Sequence, residues 1–350
     1  MLHKMEYEII VGVSTRDCEK TISNVVKTID QALTKHFSRY PALILCSDGF
    51  SSDKTKQKFN ETKTITEKKF VTEKGKRGKG SAVKTILQKA VMHSSEAVLL
   101  IDGDFISLKE NWIKDMLNAV LKKKYDVVIP NYVRDKNDCL ITNHLIHPLF
   151  NALFDSSLRS PAPGEFCLSP VAYKQLLQSR FFPTDFGIDV FITITALCET
   201  LNVIELKLGV KEHASSAHYS KPDESVMPMF NQILKEFIQL VRYYKSIIKR
   251  EVKLKFTKSG SFEKKKPSRI TINEKSYAEL SRDLIINSQE YAEKIYESLN
   301  DQSIMGLKVA WLNWLTIYFE ITRNYSNERA EKEIQKLVKV FEKNKEMLKL

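Results

Sequence analysis

The chain has 350 residues, of which 43% are hydrophobic and 28% are charged, with only 11 glycines and 10 prolines. This composition is typical of a globular protein and argues against extensive disorder. The formal net charge of +12 favours anionic partners. Phosphate-bearing substrates, nucleic acid and acidic membrane surfaces all satisfy it, so charge alone does not separate these classes.

The cysteines and the N-terminus indicate the cellular compartment. The five cysteines are scattered and include no Cys-x-x-Cys pair, which predicts reduced, mostly buried thiols. The first six residues lead directly into an apolar strand without a signal peptide, and no run of eighteen apolar residues follows. We therefore expect a cytoplasmic protein.

The first part of the chain alternates between apolar strands and helical patterns. Apolar runs predict strands at 7–13, 42–46, 70–71, 97–101 and 126–130. Apolar residues at helical spacing predict intervening helices at 22–33, 81–93 and 112–121. This alternation at short spacing predicts an α/β fold with a mainly parallel sheet and helices on both sides.

The later part is less regular. Its periodicities predict helices near 143–154 and 170–178, one that follows Asp189 and runs to about Leu201, a strand at 203–210 and a helix at 227–248.

Composition changes after residue 248. Residues 249–269 carry nine Lys or Arg against two Glu, which predicts an exposed basic linker. Helices are predicted beyond it at 275–299, 303–323 and 326–348. We therefore expect an α/β domain at 1–248 and a helical appendage at 270–350, packed on that domain or on a second copy in a homo-oligomer.

Two aspartates follow the most apolar predicted strand. Residues 97–101 are all apolar, and Asp102 and Asp104 come directly after them with glycine between. Ligands of open α/β sheets bind at the carboxyl ends of strands, where paired carboxylates can share a cation. Asp-Gly-Asp is also good turn chemistry, so this motif by itself leaves both interpretations open.

Three further loops fall at the carboxyl ends of predicted strands. With 102–104, the loops at 14–17, 47–53 and 74–80 would line one cleft. Gly78-Lys79-Gly80 lets backbone amides and an ammonium group approach a phosphate at a helix N-terminus. The chain lacks both the P-loop pattern and three ordered glycines after the first strand, so neither a P-loop nucleotidase nor a Rossmann dinucleotide site is supported.

Together these motifs resemble the GT-A nucleotide-sugar glycosyltransferases of the family 2 type. Three later stretches, 163–165, 186–189 and 208–213, are similar to signatures of mannosylglycerate synthases and glucosyl-3-phosphoglycerate synthases. The resemblance covers about residues 7–245. It implies a GT-A fold and a metal-dependent, retaining transfer of mannose or glucose from a nucleotide sugar, either GDP-mannose or UDP- or GDP-glucose.

The resemblance also implies roles for individual residues. The divalent cation, Mg²⁺ or Mn²⁺, would be held by Asp102, Asp104 and His213, with His218 as the competing histidine. The nucleotide sugar would contact Ser14, Arg16, Asp48, Lys79, Asp102 and Gly164. The candidate catalytic residues are Asp189 and Glu165, which would face the sugar and the acceptor. The acceptor would contact Arg134, Thr142 and Asp189.

The acceptor distinguishes the two resembling families. The phosphoglycerate enzymes have a Gly-Arg pair just before the threonine that matches Thr142, whereas this chain has Cys139 and Leu140. An apolar side chain cannot replace that donor for a phosphate. We therefore expect a small hydroxy-carboxylate acceptor such as D-glycerate, as in mannosylglycerate, a compatible solute.

Other functions stay open. One alternative is transfer to 3-phosphoglycerate, or to a polyprenyl phosphate, with the segment 249–269 on an anionic membrane. A nucleic-acid binder would explain the charge but not the four strand-end loops, so no nucleic-acid partner is expected.

Overall fold

The computed structural model describes residues 6–73, 75–154, 156–249, 256–262, 265–281 and 287–349. They form two compact units. The sheet unit comprises the described residues within 1–133, 163–214 and 255–265, and the helical unit comprises those within 134–162, 215–254 and 266–350.

The sheet unit is built on one eight-stranded sheet. Its strands are β1 (Ile9–Thr15), β2 (Ala42–Asp48), β3 (Glu67–Thr72), β4 (Ala97–Asp102), β5 (Val127–Val133), β6 (Phe166–Leu168), β7 (Val203–Val210) and β8 (Phe256–Gly260). Their order across the sheet is β3-β2-β1-β4-β6-β5-β7-β8. All neighbours are parallel except β6, which runs antiparallel to both β4 and β5.

Thirteen α-helices connect or follow these strands in the described residues. They are α1 (Ile22–His36), α2 (Thr55–Glu61), α3 (Lys79–His93), α4 (Glu110–Leu121), α5 (His147–Phe154), α6 (Pro170–Gln178), α7 (Ile188–Cys198), α8 (Val226–Tyr243), α9 (Lys245–Lys249), α10 (Glu274–Leu280), α11 (Ser288–Asn300), α12 (Ile304–Thr322) and α13 (Asn327–Lys343). None of the helices in the described ranges is long and apolar enough to cross a membrane.

The central strands β1, β2 and β4 bring polar side chains together at their carboxyl ends. The apolar residues of β1 and β4 are buried, as near-continuous apolar sequence requires in a sheet covered on both faces. In the parallel register, Ser14 lies opposite Asp102 on one side and Ser47 on the other, and Thr15 lies opposite Asp48. The carboxyl ends of β1, β2 and β4 therefore meet.

The expected α/β class and mainly parallel sheet are confirmed. Two strands were not predicted from the sequence. Strand β6 has only three residues, too few for a periodic signal. Strand β8 lies within the predicted linker 249–269 and pairs in parallel with β7, while residues 250–255 and 263–264 of that linker lie outside the described residues. Because β8 is an edge strand with mostly exposed side chains, it needs no apolar run.

Several helix boundaries and the division of the chain also differ from the expectations. The predicted helix 227–248 is divided into α8 and α9, and the predicted helix 275–299 corresponds to α10 and α11, between which residues 282–286 are not described. Helices α5 and α8 group with the C-terminal helices rather than with the sheet. Aromatic contacts contribute to this grouping, because Phe230 of α8 packs on Trp311 of α12 with ring centroids 4.9 Å apart.

A fully buried histidine lies in the core of the helical unit. The ring of His144 packs on Tyr318 with centroids 4.0 Å apart, and its Nδ1 accepts a hydrogen bond from Trp314 Nε1 at 3.3 Å. The proton of the neutral ring is thus on Nε2, which has no hydrogen-bond partner among the described residues. Burial, aided by the positive charge of Arg159, lowers the pKa of His144 from 6.5 to about 3.

This pKa predicts acid lability of the fold. Between about pH 3 and 6.5 the unfolded chain binds a proton at His144 that the folded protein does not, so stability falls as pH decreases through this range. At pH 5 the loss relative to pH 7 is about 2 kcal/mol. Denaturant unfolding at both pH values should show a smaller pH dependence for His144→Gln than for the wild type. The exposed control His36→Gln should retain the wild-type pH dependence, and a His144→Gln variant that also retained it would contradict the prediction.

Candidate active site

The carboxylate of Asp102 lies at the centre of a cluster in the sheet unit. Ser14 at the end of β1 donates its hydroxyl hydrogen to Asp102 Oδ1 at 3.3 Å. Two lysines approach the same carboxylate: Lys79 Nζ lies 3.1 Å from Oδ1, and Lys211 Nζ lies 3.7 Å from Oδ2. Residues from three separate segments therefore surround the first aspartate of the Asp-x-Asp motif.

Lys79 joins this carboxylate to a second one. Its ammonium group lies 3.3 Å from Asp189 Oδ1 and donates to the carbonyl oxygen of Gly164 at 3.0 Å. Burial opposes the charge on Lys79, but the nearby carboxylates of Asp102, Asp189 and Glu165 raise its pKa above the ordinary value. In the structure, the lysine predicted to pair with phosphate is thus bound to carboxylates, and its contact with phosphate stays a prediction.

The glycine before Glu165 makes the close approach in this cluster possible. Gly164 has a φ of +99°, and a Cβ at this position would lie 2.7 Å from Asp102 Oδ2 and 2.9 Å from Lys211 Nζ. Both the backbone conformation and the space therefore favour glycine.

Glu165 forms a buried ion pair that the sequence did not predict. Its side chain is 0% exposed, and its Oε1 lies 2.5 Å from Lys211 Nζ. Lys211 also donates to the carbonyl of Pro163 at 3.3 Å, and its ammonium lies over the rings of Phe105 and Tyr132, at 4.8 and 5.5 Å from their centroids. The sequence gives one signal for a role of Lys211, namely its position directly after a strand and two residues before His213.

The two candidate catalytic carboxylates differ in their access to solvent. Burial raises the pKa of Glu165 to about 7 although the Lys211 charge lowers it, and Glu165 Oε2 has no hydrogen-bond partner among the described residues. Burial likewise raises the pKa of Asp189, against the effect of Lys79. The Asp189 side chain retains 15% exposure, so Asp189 rather than Glu165 reaches the surface of the cluster.

The second aspartate of the motif lies beside the predicted histidine. His213 Nδ1 is 3.7 Å from Asp104 Oδ2. A β-bridge between His213 and Phe105, the residue after Asp104, holds the two backbone segments together. A carboxylate oxygen and an imidazole nitrogen are donors that divalent transition metals accept. These two residues fit a cation, although no three His, Cys, Asp or Glu side chains in the described part of the chain form a ready metal site. The side chain of the competing His218 lies outside the described residues.

A second cluster of polar side chains surrounds the end of β2. Asp48 is buried and accepts hydrogen bonds from Thr15 Oγ1 at 2.9 Å and Ser51 Oγ at 2.6 Å. Arg16, predicted to lie near the base or ribose, is exposed, and its Nε lies 4.0 Å from Asp17 Oδ2; its contact with the nucleotide stays a prediction. Glu73, which the sequence did not indicate, is buried at the end of β3 and accepts from the backbone N–H of Gly78 at 2.8 Å.

The predicted acceptor residues Arg134 and Thr142 belong to the helical unit. Arg134 Nη1 donates to the buried carboxylate of Asp138 at 2.9 Å, and Thr142 begins a π-helical turn that ends at Ile146. Cys139, one of the two residues that stand in place of Gly-Arg, has a φ of +51°, which favours glycine. Leu140, the other, is only 4% exposed.

The sheet order, the reversed β6 between β4 and β5, and the Asp-x-Asp motif at the end of β4 define a GT-A type glycosyltransferase fold. The chain belongs to glycosyl transferase family 2, whose model matches residues 10–191, more than half of its length. The expected resemblance to this family is thereby confirmed, and the protein is a glycosyltransferase. It has no match among the curated proteins.

Solved structures of glucosyl-3-phosphoglycerate synthase from Mycobacterium tuberculosis are similar to this chain. The complex with Mn²⁺, UDP-glucose and phosphoglyceric acid has a TM-score of 0.55 at 20% identity, covering 68% of this chain and 81% of that one. The complex with Mn²⁺, UDP and glucosyl-3-phosphoglycerate has a TM-score of 0.55 at 19% identity, with coverages of 68% and 81%. The complex with Mg²⁺ and UDP has a TM-score of 0.54 at 20% identity, with coverages of 68% and 80%.

Proposed function

We propose that this glycosyltransferase moves a hexose, mannose or glucose, from a nucleoside diphosphate sugar to a small hydroxy-carboxylate such as D-glycerate, with retention of the anomeric configuration and with a divalent cation. The observation that carries the proposal is the cluster of Asp102, Lys79 and Asp189 beside the Asp104–His213 pair. It offers both anionic and cationic groups at the sheet edge where α/β proteins bind nucleotides.

The proposed metal requirement rests on the side chains that could ligate a cation and on the metal ions in the similar structures. The similar synthase binds Mn²⁺ or Mg²⁺ together with UDP or UDP-glucose. In this chain Asp104 and His213 would hold the cation, together with Asp102. A divalent cation at this place would neutralise the negative charge that develops on the departing nucleoside diphosphate.

The chain's own residues would orient the donor and the acceptor. Ser14 and Lys79 fix the position of Asp102 before any ligand binds, so little reorganisation is needed at the moment of reaction. The Asp189 side chain is partly exposed, at 15%, and its carboxylate would accept a hydrogen bond from a hydroxyl of the sugar or the acceptor. Asp48 would lie near the base and ribose at the end of β2.

Two residues of the helical unit, Arg134 and Leu140, are the basis for proposing an acceptor without a phosphate group. Arg134 is a cation that could pair with a carboxylate, whereas the buried, apolar Leu140 offers no donor to a phosphate. The similar structures favour the competing acceptor, because one contains phosphoglyceric acid and another contains glucosyl-3-phosphoglycerate. The proposal therefore depends on a direct comparison of the two acceptors.

A donor and acceptor panel tests the proposal. GDP- and UDP-linked mannose and glucose are combined with D-glycerate, 3-phosphoglycerate and lactate, with Mg²⁺ or Mn²⁺, and nucleotide release is followed. Reactions without acceptor measure donor hydrolysis. We expect acceptor-dependent release with D-glycerate and little with 3-phosphoglycerate, and NMR of the product should show the anomeric configuration of the donor. Faster release with 3-phosphoglycerate would replace the proposed acceptor, and no release with any pair would reject this substrate class.

A further inference from the structure

Lys211 connects the most buried part of the site to the carboxylate at its centre. The ammonium group lies 2.5 Å from Glu165 Oε1 and 3.7 Å from Asp102 Oδ2. Neither member of the ion pair is open to solvent, since Lys211 is 5% exposed and Glu165 is 0% exposed. A substrate entering the site would meet Asp102 and Asp189 before it met either of these groups.

We propose that the Lys211–Glu165 ion pair is a positioning device, which holds the Asp102 carboxylate and the Pro163–Gly164 backbone in place for the donor without touching the substrate. The inference rests on the proposed function. It assigns Glu165 an indirect role, in place of the direct catalytic role expected from the sequence.

The contacts of Lys211 support this assignment. Its Nζ bonds to the Pro163 carbonyl, and Lys79 bonds to the Gly164 carbonyl, so two ammonium groups fix consecutive peptide oxygens. Lys211 also lies over the rings of Phe105 and Tyr132, so cation–π contacts add to the polar contacts that hold its ammonium group. A shift of Lys211 would therefore move Asp102 and the adjacent backbone together.

A purely structural ion pair and a positioning pair make different predictions. Removing one partner of a buried pair leaves an uncompensated charge and strongly destabilises the fold, whereas replacing both by neutral groups of similar size is often neutral. If the pair only stabilises the fold, activity should recover whenever stability recovers. If it positions Asp102, activity stays low in a stable protein, because the contact to Asp102 is gone.

The experiment compares Lys211→Met, Glu165→Gln and the double variant, with both the unfolding midpoint and kcat measured. We expect each single variant to unfold at lower denaturant concentration than the wild type, and the double variant to recover most of this loss. The kcat of all three should be about 10- to 100-fold below wild type, as found when supporting partners of active-site ligands are removed. The exposed pair Lys35–Glu110 provides a matched control, Lys35→Met with Glu110→Gln, which should leave kcat unchanged.

Glu165→Asp provides a second variant, which keeps both charges of the pair. Its side chain is one methylene shorter and lengthens the contact with Lys211, so kcat should fall, while the unfolding midpoint should fall less than in Glu165→Gln because the negative charge is retained. Wild-type kcat in Glu165→Asp, or in a stable double variant, would overturn the inference while the proposed function stands. A wild-type protein that transferred no sugar in the panel would instead reject the proposed function, and this inference with it.

Discussion

Asp104→Asn is expected to lower the metal-dependent rate of sugar transfer by about 10²–10³-fold, the loss typical of removing one stabilising group from a site of developing charge. Asparagine keeps the shape of the side chain but removes the charge that a divalent cation requires. The fold should be unaffected, because the Asp104 side chain is 23% exposed and its backbone carbonyl still accepts the Ala214 N–H at 3.0 Å. Initial rates at increasing Mn²⁺ should show a weaker apparent affinity for the metal together with the lower maximum.

Asp115→Asn is the matched control for this variant. Asp115 lies on α4, its side chain is 48% exposed, and its Oδ1 lies 3.6 Å from Lys114 Nζ. The same chemical change at this position should leave both the rate and the Mn²⁺ dependence at wild-type values. An Asp104→Asn protein with wild-type turnover and an unchanged response to Mn²⁺ would remove Asp104 from the proposed metal site.

The sheet edge was the most predictable part of the molecule. A strand that is buried on both faces is apolar throughout, so its end is visible where Asp102 interrupts the run. The same reasoning places Ser14, Asp48 and Lys79 at neighbouring strand ends, and the register and helix bounds agree with it. Parallel pairing of the backbones brings the carboxyl ends of neighbouring strands together independently of side-chain contacts, so this geometry can be inferred from the sequence.

The inner part of the site could not be predicted in the same way. Lys211 is buried because Glu165, Phe105 and Tyr132, from three other segments, converge on its side chain. In the sequence it is one of many lysines, and apart from its position between a strand and His213 nothing local distinguishes it from a solvated lysine. Glu165 was recognised by its motif, but its direction toward Lys211 rather than toward the cleft depends on contacts between distant segments.

The helical unit shows a further limit of local patterns. The periodicity of α12 was evident, but the grouping of α5 and α8 with the C-terminal helices was not, because it depends on which apolar faces meet. The predicted boundaries at 248 and 270 follow a change of charge in the chain. Charge reports on exposure to solvent and does not determine which helices pack together.

Gly164→Ala is expected to lower kcat by about 100-fold, because small displacements of groups that hold a substrate can have effects of that size. The added Cβ would lie 2.7 Å from Asp102 Oδ2 and 2.9 Å from Lys211 Nζ, so both side chains have to move. The carbonyl of Gly164, which accepts a hydrogen bond from Lys79 at 3.0 Å, would shift with its residue. The variant thus disturbs the positions of Asp102 and Lys211 and the hydrogen bond from Lys79 to the Gly164 carbonyl.

Gly75→Ala separates this local effect from backbone strain. Gly75 also has a positive φ, +88°, but among the described residues no atom lies within 4 Å of an added Cβ. An alanine at either position adopts a left-handed conformation at a cost of about 1–2 kcal/mol. Both variants should therefore unfold at a lower denaturant concentration than the wild type, Gly164→Ala at the lower of the two because its Cβ also displaces Asp102 and Lys211, and only Gly164→Ala should lose turnover. Equal kcat values in the two variants would show that the close approach of Gly164 to Asp102 and Lys211 has no role in the reaction, whereas a selective loss would place the catalytic requirement at that contact.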